Sequence, residues 1–346
     1  MRGRRVRLLA LVAVVTLTSG ACAPSGQPDP AASPAASPAA HAAARPATTA
    51  STSPSATPTA PPAASPPADP LPAGPVTALI VGTDSRDPAS WEGNADAIVV
   101  AQLSADRETL ALISISRDSW VMIPGHGESK VNAAFALGGA ELLRETVSAL
   151  LGGITLDYVV QTNFGGFVGV LDAVDGAWVH NPHPALAGFG DGGEVAHGRA
   201  NHDFTADPIH LHDAEALFYV RQRFELAYGD LDRAHRTRQT IIGLLARLDE
   251  LAQDPPALTA ALVHIASNVR ITGELHVADM VALAAIGEHL ERDDILSLMA
   301  PIEGFTGRAG ASVNVVDVAQ TAELGDALRA GDVQAYVDRY GTEHRP

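Results

Sequence analysis

Two neighbouring stretches concentrate guanidinium groups more densely than ordinary surface charge does. Tyr219-Val220-Arg221-Gln222-Arg223 is followed by Gly229-Asp230-Leu231-Asp232-Arg233-Ala234-His235-Arg236-Thr237-Arg238, which puts five of the chain's arginines within 18 residues. The predicted helices end one element at Arg221 and Arg223 and open the next at Arg233. Arg233 and Arg236, three apart, share a helical face. The loop 224–232 could then fold both sets over one anion, and planar guanidinium forks suit the oxygens of a diphosphate. Upstream, Asp84, Arg86, Asp96, Arg117 and Asp118 stand beside the ends of three apolar runs. Each alone reads as an ordinary turn charge. Brought together, such carboxylates and arginines suit a divalent metal bridged to phosphate, since Mg²⁺ takes one or two carboxylates and completes its shell with phosphate and water.

The elements that must position these residues begin at Val76. Val76–Gly82, Ala97–Leu103 and Thr109–Ile115 read as strands. Ala133–Leu151 has helical apolar spacing and stops at Gly152-Gly153. Strands at Leu156–Gln161 and Ala177–His180 flank a helix near 165–174. Further helices are predicted at Asp213–Arg223, Arg233–Leu251, Pro256–Asn268 and Val277–Leu290, with a last strand at Val313–Val316 before a helix at 318–330. This alternation without repeats predicts one α/β domain over 76–346, with helices packed on a central sheet and its chemistry at strand ends.

The rest of the chain is of another kind. Arg2, Arg4, Arg5 and Arg7 precede an apolar run to Leu17 and the small residues Ser19-Gly20-Ala21-Cys22, which together read as an export signal over 1–23. Ser19–Cys22 resembles a lipobox that would make Cys22 a lipidated anchor; an uncleaved membrane anchor is the alternative. Residues 24–75 are a Pro-, Ala-, Ser- and Thr-rich segment, predicted to be a disordered spacer reaching at most ~160 Å. The domain would therefore face outward from the membrane. The sequence carries 23 Lys and Arg against 40 Asp and Glu, and the part after residue 75 is more acidic than the whole. Gripping nucleic acid by bulk charge is excluded, because counterion release needs a basic face. Lys130 is the sole lysine, and Cys22 the sole cysteine, so the domain has no disulfide, cysteine-ligated metal or thiol nucleophile.

Other patterns carry less. Gly188–Gly193 spells a dinucleotide-binding turn but has no strand before it. His180, His183, His197, His202, His210 and His212 lack the helical spacing with a carboxylate expected of a transition-metal site. Ser85, Ser114 and Ser116 have no glycine elbow for acyl-enzyme chemistry.

Gly82-Thr83-Asp84-Ser85-Arg86, Gly93-Asn94-Ala95-Asp96, Ser114-Ile115-Ser116-Arg117-Asp118, Lys130-Val131-Asn132 with Gly138-Gly139, Ala216–Arg223, and Gly229–Arg233 with Arg236 together resemble the ordered motifs of the LytR-CpsA-Psr family. The resemblance implies a single domain with a central mixed β-sheet flanked by helices. It implies an Mg²⁺-dependent phosphotransferase, with Mn²⁺ as a substitute metal. Such an enzyme moves an anionic glycopolymer, teichoic or arabinogalactan in type, from a polyprenyl pyrophosphate carrier to peptidoglycan through a phosphodiester. Asp84 and Asp96 would hold the metal, while Arg86, Arg117, Arg221, Arg223, Arg233 and Arg236 would meet the pyrophosphate. Asp84, Arg86, Asp96 and Arg117 would carry the catalysis, and Asp96 or Asp230 would be the base. The prenyl tail would lie in an apolar pocket between sheet and helices. Four positions depart from the family pattern: Asn94 stands for arginine, Ser116 for proline, Asp213 for glycine, and Thr237 for a glutamine, with Gln239 two positions on. A polyprenyl pyrophosphate hydrolase and a non-catalytic polymer-binding lipoprotein are the alternative readings.

Overall fold

Val76–Thr83 (β1), Ala95–Leu103 (β2) and Leu110–Ser114 (β3) are rich in β-branched and aliphatic residues, and both faces of the sheet they build are covered. The protein is described here from a computed structural model, which describes residues 71, 73–87, 89–187, 202–223, 226–273 and 290–343. The export signal with Cys22, nearly all of the 24–75 spacer, the Gly188–Gly193 turn, His197 and the helix predicted at 277–290, except for Leu290, lie outside the described residues. Trp120–Ile123 (β4) and Gly127–Lys130 (β5) form a hairpin leading into Val131–Leu150 (α1). Tyr158–Thr162 (β6) and Phe164–Asp172 (α2) follow, then the short strands Ala177–Val179 (β7), Ala185–Ala187 (β8), His202–Phe204 (β9) and Ile209–Leu211 (β10). Asp213–Arg221 (α3), Asp230–Leu251 (α4) and Pro255–Asn268 (α5) come next. Arg270–Thr272 (β11), Ile295–Met299 (β12), Ile302–Arg308 (β13), Ala311–Val316 (β14), Val318–Ala330 (α6) and Val333–Tyr340 (α7) complete the described chain.

The central sheet has six strands in the order β11-β6-β1-β2-β3-β12. It is mixed: β1 runs antiparallel to β2 but parallel to β6, and β12 runs parallel to β3. Alternate side chains of one strand feed two cores. Leu79, Val81, Ile98 and Val100 pack with α1, α6 and α7 on one face. On the other, Val99 and Leu112 meet Ile242 of α4, and α2, α3, α4 and α5 enclose a further core through residues such as Val170, Tyr219, Leu248 and Ile265.

Three outcomes differ from the sequence reading. β7 is a strand, but it pairs with β10 outside the central sheet, where α4 packs so closely that a Cβ on Gly243 would stand 2.7 Å from the Trp178 carbonyl oxygen. Val313–Val316 is a strand before a helix, as read, but it pairs in the β13–β14 hairpin outside the central sheet, whose edge is β12. The helix α1 is broken where Gly138 and Gly139 leave helical geometry, Gly139 at φ 64°. Among the described residues no helix is long and apolar enough to cross a membrane.

Candidate functional site

The first two strands set the site through an irregularity. Gly82 pairs with Ala97 and Thr83 with Ala95, so Asp96 is the extra residue of a β-bulge. Bulges re-aim side chains, and this one places Asp96 within the β2 strand rather than before it. One residue beyond Thr83, Asp84 accepts hydrogen bonds from the Asn94 backbone N–H at 2.7 Å and from Asn94 Nδ2 at 3.0 Å. A Cβ on Gly93, whose φ is 131°, would stand 2.5 Å from Asp84 Oδ1. Glycine is therefore required for the turn to close on the carboxylate.

Arg117 lies between carboxylates from three elements. Its Nη1 bonds Asp96 Oδ1, and its Nε stands 3.6 Å from Asp230 Oδ1 and 3.8 Å from Asp118 Oδ2. Burial, the largest single influence, disfavours its charge, yet Asp96 and Asp230 outweigh it and raise the guanidinium above its ordinary pKa. Asp230 opens α4, where the helix dipole favours an acid. It accepts from Arg233 Nε at 3.0 Å and forms an ion pair with Arg233 Nη2 at 2.7 Å. Arg233 also donates to the Asp96 carbonyl oxygen at 2.8 Å, and Lys130 Nζ bonds Asp118 at 2.6 Å.

Behind this cluster runs an apolar cleft of about 1060 Å³ including its mouth, walled by Ile80, Val99 and Val160 of the sheet and by Phe167, Leu244 and Ile265 of the helices. Asp96, Arg221 and Arg233 line the same cleft. A smaller adjoining cavity is lined by Asp96, Arg117, Asp230 and Arg233. Arg221 lies over the ring of Phe164, 4.3 Å from its centroid. The loop carrying Arg86 is tied to the start of α2, because Phe164 N–H donates to the Ser85 carbonyl at 3.3 Å and Asn163 Nδ2 to the Ser90 carbonyl at 3.1 Å.

The predicted residues are thus only partly brought together. Asp96, Arg117, Asp230, Arg221 and Arg233 meet at the cleft. Asp84 borders it through the β1 end but lines neither cavity, and Arg86 and Arg223 are exposed. Arg236, grouped with Arg233 by its spacing, lines neither cavity either. It is fully buried over Tyr219, and it donates to Gln222 Oε1 at 2.5 Å and to the His183 carbonyl. The described histidines do not converge on one site. His180 pairs with Asp207, His183 with His235, and His210 lies against Trp178.

The sequence reading missed Thr162, Asn163 and Phe164 as cleft residues, although Asn163 carries an N-cap signal ahead of an apolar run and accepts from Gly166 N–H at 2.8 Å. Three departures from the family pattern acquire a place. Asp213 has φ 50°, a left-handed conformation in which glycine is the easier residue. Thr237 faces both cavities, whereas Gln239 is turned toward Arg292 and His235. Ser116, buried, bonds Asp230.

The sequence matches the LytR_cpsA_psr family over residues 39–330. The chain belongs to that family. The match starts inside the segment read as a spacer and ends sixteen residues before the C-terminus. Similar proteins include the polyisoprenyl-teichoic acid–peptidoglycan teichoic acid transferase TagU of Bacillus cereus, 30% identical over 199 residues, which cover 56% of this chain and 60% of that protein. Another is the "Probable cell wall biosynthesis protein LcpB" of Corynebacterium glutamicum, 32% identical over 270 residues, 72% of this chain and 60% of that one. The chain thus spans about 60% of the length of both relatives. Among solved structures, TagT bound to LI-WTA is 25% identical with a TM-score of 0.55, covering 75% of this chain and 90% of that one.

Proposed function

We propose that this LytR_cpsA_psr protein transfers an anionic glycopolymer from a polyprenyl diphosphate carrier to peptidoglycan, outside the cell membrane and tethered to it through the N-terminal segment. The observation that carries this reading is the apolar cleft ending at Asp96, Arg221 and Arg233, which suits a ligand with a long hydrocarbon tail and a charged head. The teichoic acid transfer for which TagU is named and the LI-WTA bound to TagT support the same class of substrate.

Charge explains why a metal belongs in the reading. At the head of the cleft Arg117, Lys130 and Arg233 are matched by Asp96, Asp118 and Asp230, and Arg221 adds one positive charge. A diphosphate entering there needs further positive charge. Asp84, just past β1, and Asp96, in the paired strand β2, would hold Mg²⁺, with Mn²⁺ as substitute: two carboxylates are what Mg²⁺ commonly takes when phosphate and water fill the rest of its shell. When bound, the ion supplies Lewis-acid neutralisation of the phosphate oxygens. Arg117, Arg221 and Arg233 then bind and orient the diphosphate, while Arg86 and Arg223 add positive charge from the exposed side. Transfer breaks the bridge between the two phosphates. The polymer leaves with its own phosphate, joins a peptidoglycan hydroxyl, and polyprenyl monophosphate remains. Asp96 or Asp230 takes the hydroxyl proton. Most of the acceleration comes from placement and from charge neutralisation where negative charge builds up.

The test incubates the full chain with a polyprenyl diphosphate-linked glycopolymer, a peptidoglycan acceptor and Mg²⁺. The expected result is a phosphodiester-linked product that depends on the metal and is lost in Asp84→Ala and in Arg221→Ala. Turnover equal to wild type in both variants overturns the residue assignment. Release of free polymer phosphate without transfer identifies a hydrolase, and saturable binding without turnover a polymer-binding protein.

A further inference from the structure

Asp230 is held from two sides. Its Oδ1 accepts from Arg233, and its Oδ2 accepts from Ser116 Oγ at 3.2 Å. Ser116 Oγ in turn accepts from Asn314 Nδ2 at 2.6 Å. The direction of this chain is forced by chemistry. An ionised carboxylate only accepts, so the hydroxyl must give its single proton to Asp230 and has only lone pairs to offer the Asn314 amide. Ser116 and Asn314 are buried, at 1% and 5% exposure, and side chains so enclosed hold one orientation. The backbone reinforces them: Asn314 N–H donates to the Asp118 carbonyl at 2.9 Å, and Asn314 and Ser119 form a parallel bridge. Asn314 lies on β14, 198 residues from Ser116 and outside every motif read in the sequence.

We propose that Ser116 and Asn314 are positioning residues for the transfer: through Asp230 they fix the guanidinia of Arg117 and Arg233, and so couple the β13–β14 hairpin to the head of the cleft. The proposal deepens the functional reading above and rests on it. A tilt of the Asp230 carboxylate would move Arg233, which is bonded to it, and change the field at Arg117 Nε, 3.6 Å away. Asn314 lines neither cavity and Ser116 lines only the smaller one, away from the apolar cleft, so their loss should leave binding of the lipid diphosphate and slow the step that needs alignment. The relay departs from the family pattern, which has proline at the place of Ser116, and proline offers no hydroxyl.

The experiment measures Mg²⁺-dependent transfer by the full chain carrying Ser116→Ala, Asn314→Leu, both together, or Ser116→Thr. The expected result is a fall in kcat of about tenfold in either single variant, with KM for the lipid diphosphate within about twofold. The double variant should be no slower than the singles, since both cut one path. Ser116→Thr, which keeps the hydroxyl, should regain most of the rate. An unchanged kcat in both single variants overturns the proposal, as does a threonine variant as slow as alanine, or losses that multiply. A second readout stands apart from activity. The Asn314 side-chain amide resonances, assigned by their disappearance in Asn314→Asp, should shift in Ser116→Ala and in Asp230→Asn. Resonances that stay in place in both overturn the relay. A wild-type chain that performs no transfer while these shifts occur defeats the functional reading and leaves the relay standing.

Discussion

At the residue scale, arginines that look alike in sequence divide into two kinds of work. Arg221 lies over Phe164 at the cleft wall, whereas Arg236 is fully buried with its hydrogen bonds spent on Gln222 and His183. Arg221→Lys should therefore cut transfer at least tenfold while changing the urea midpoint little, because a lysine lacks the planar fork that meets a diphosphate. Arg236→Lys should do the opposite and cost about 3 kcal/mol of stability, since hydrogen bonds to a buried charged group are lost without replacement; equilibrium urea unfolding of the two variants checks both. The sequence exposed the density of the arginines and the shared face of Arg233 and Arg236, but not depth. Depth is decided by the segment that covers the helix, here the stretch carrying His183, and no local pattern announces it. Asn314 was illegible for the same reason, as its partner is set by a hairpin that packs from far along the chain.

At the scale of elements, the strand and helix that bear the site were plain in the sequence because their apolar periods are strong and their ends carry glycine or capping residues. The bulge at Asp96 was not, since one extra residue leaves composition and period almost unchanged. β12 also escaped notice: Ile295–Met299 has five residues, apolar except for Ser297, too short for its period to separate strand from buried helix. The cleft between sheet and helices makes a prediction of its own. Val160→Trp adds bulk to the wall and should raise KM for a long-chain prenyl diphosphate substrate about tenfold, while a water-soluble short-chain analogue keeps its value. Steady-state kinetics with the two substrates decides it; an equal change for both would mean that the tail does not lie there.

At the scale of the molecule, the formal charge of −17 opposes an anionic polymer even though arginines line the cleft head. Screening should then help: the association rate for glycopolymer substrate should rise severalfold between about 10 and 150 mM salt, the reverse of a nucleic-acid binder, and stopped-flow binding across salt concentrations measures it. Acid should act on stability. Asp203, held first by the Thr205 hydroxyl, and Asp207, held first by the Asn181 backbone N–H, have pKa values below the ordinary carboxylate range. Their contribution is present above the unfolded carboxylate value and is lost as pH falls through the lowered folded values. These two groups should therefore lower the urea midpoint only as pH falls below about 4. Lys130, the only lysine of 346 residues, is paired with Asp118 beside the reacting centre. Apart from the chain's own N-terminus, every amine-directed label, cross-linker or acylating reagent thus has one address on this protein, and attaching there removes the cation that pairs with Asp118.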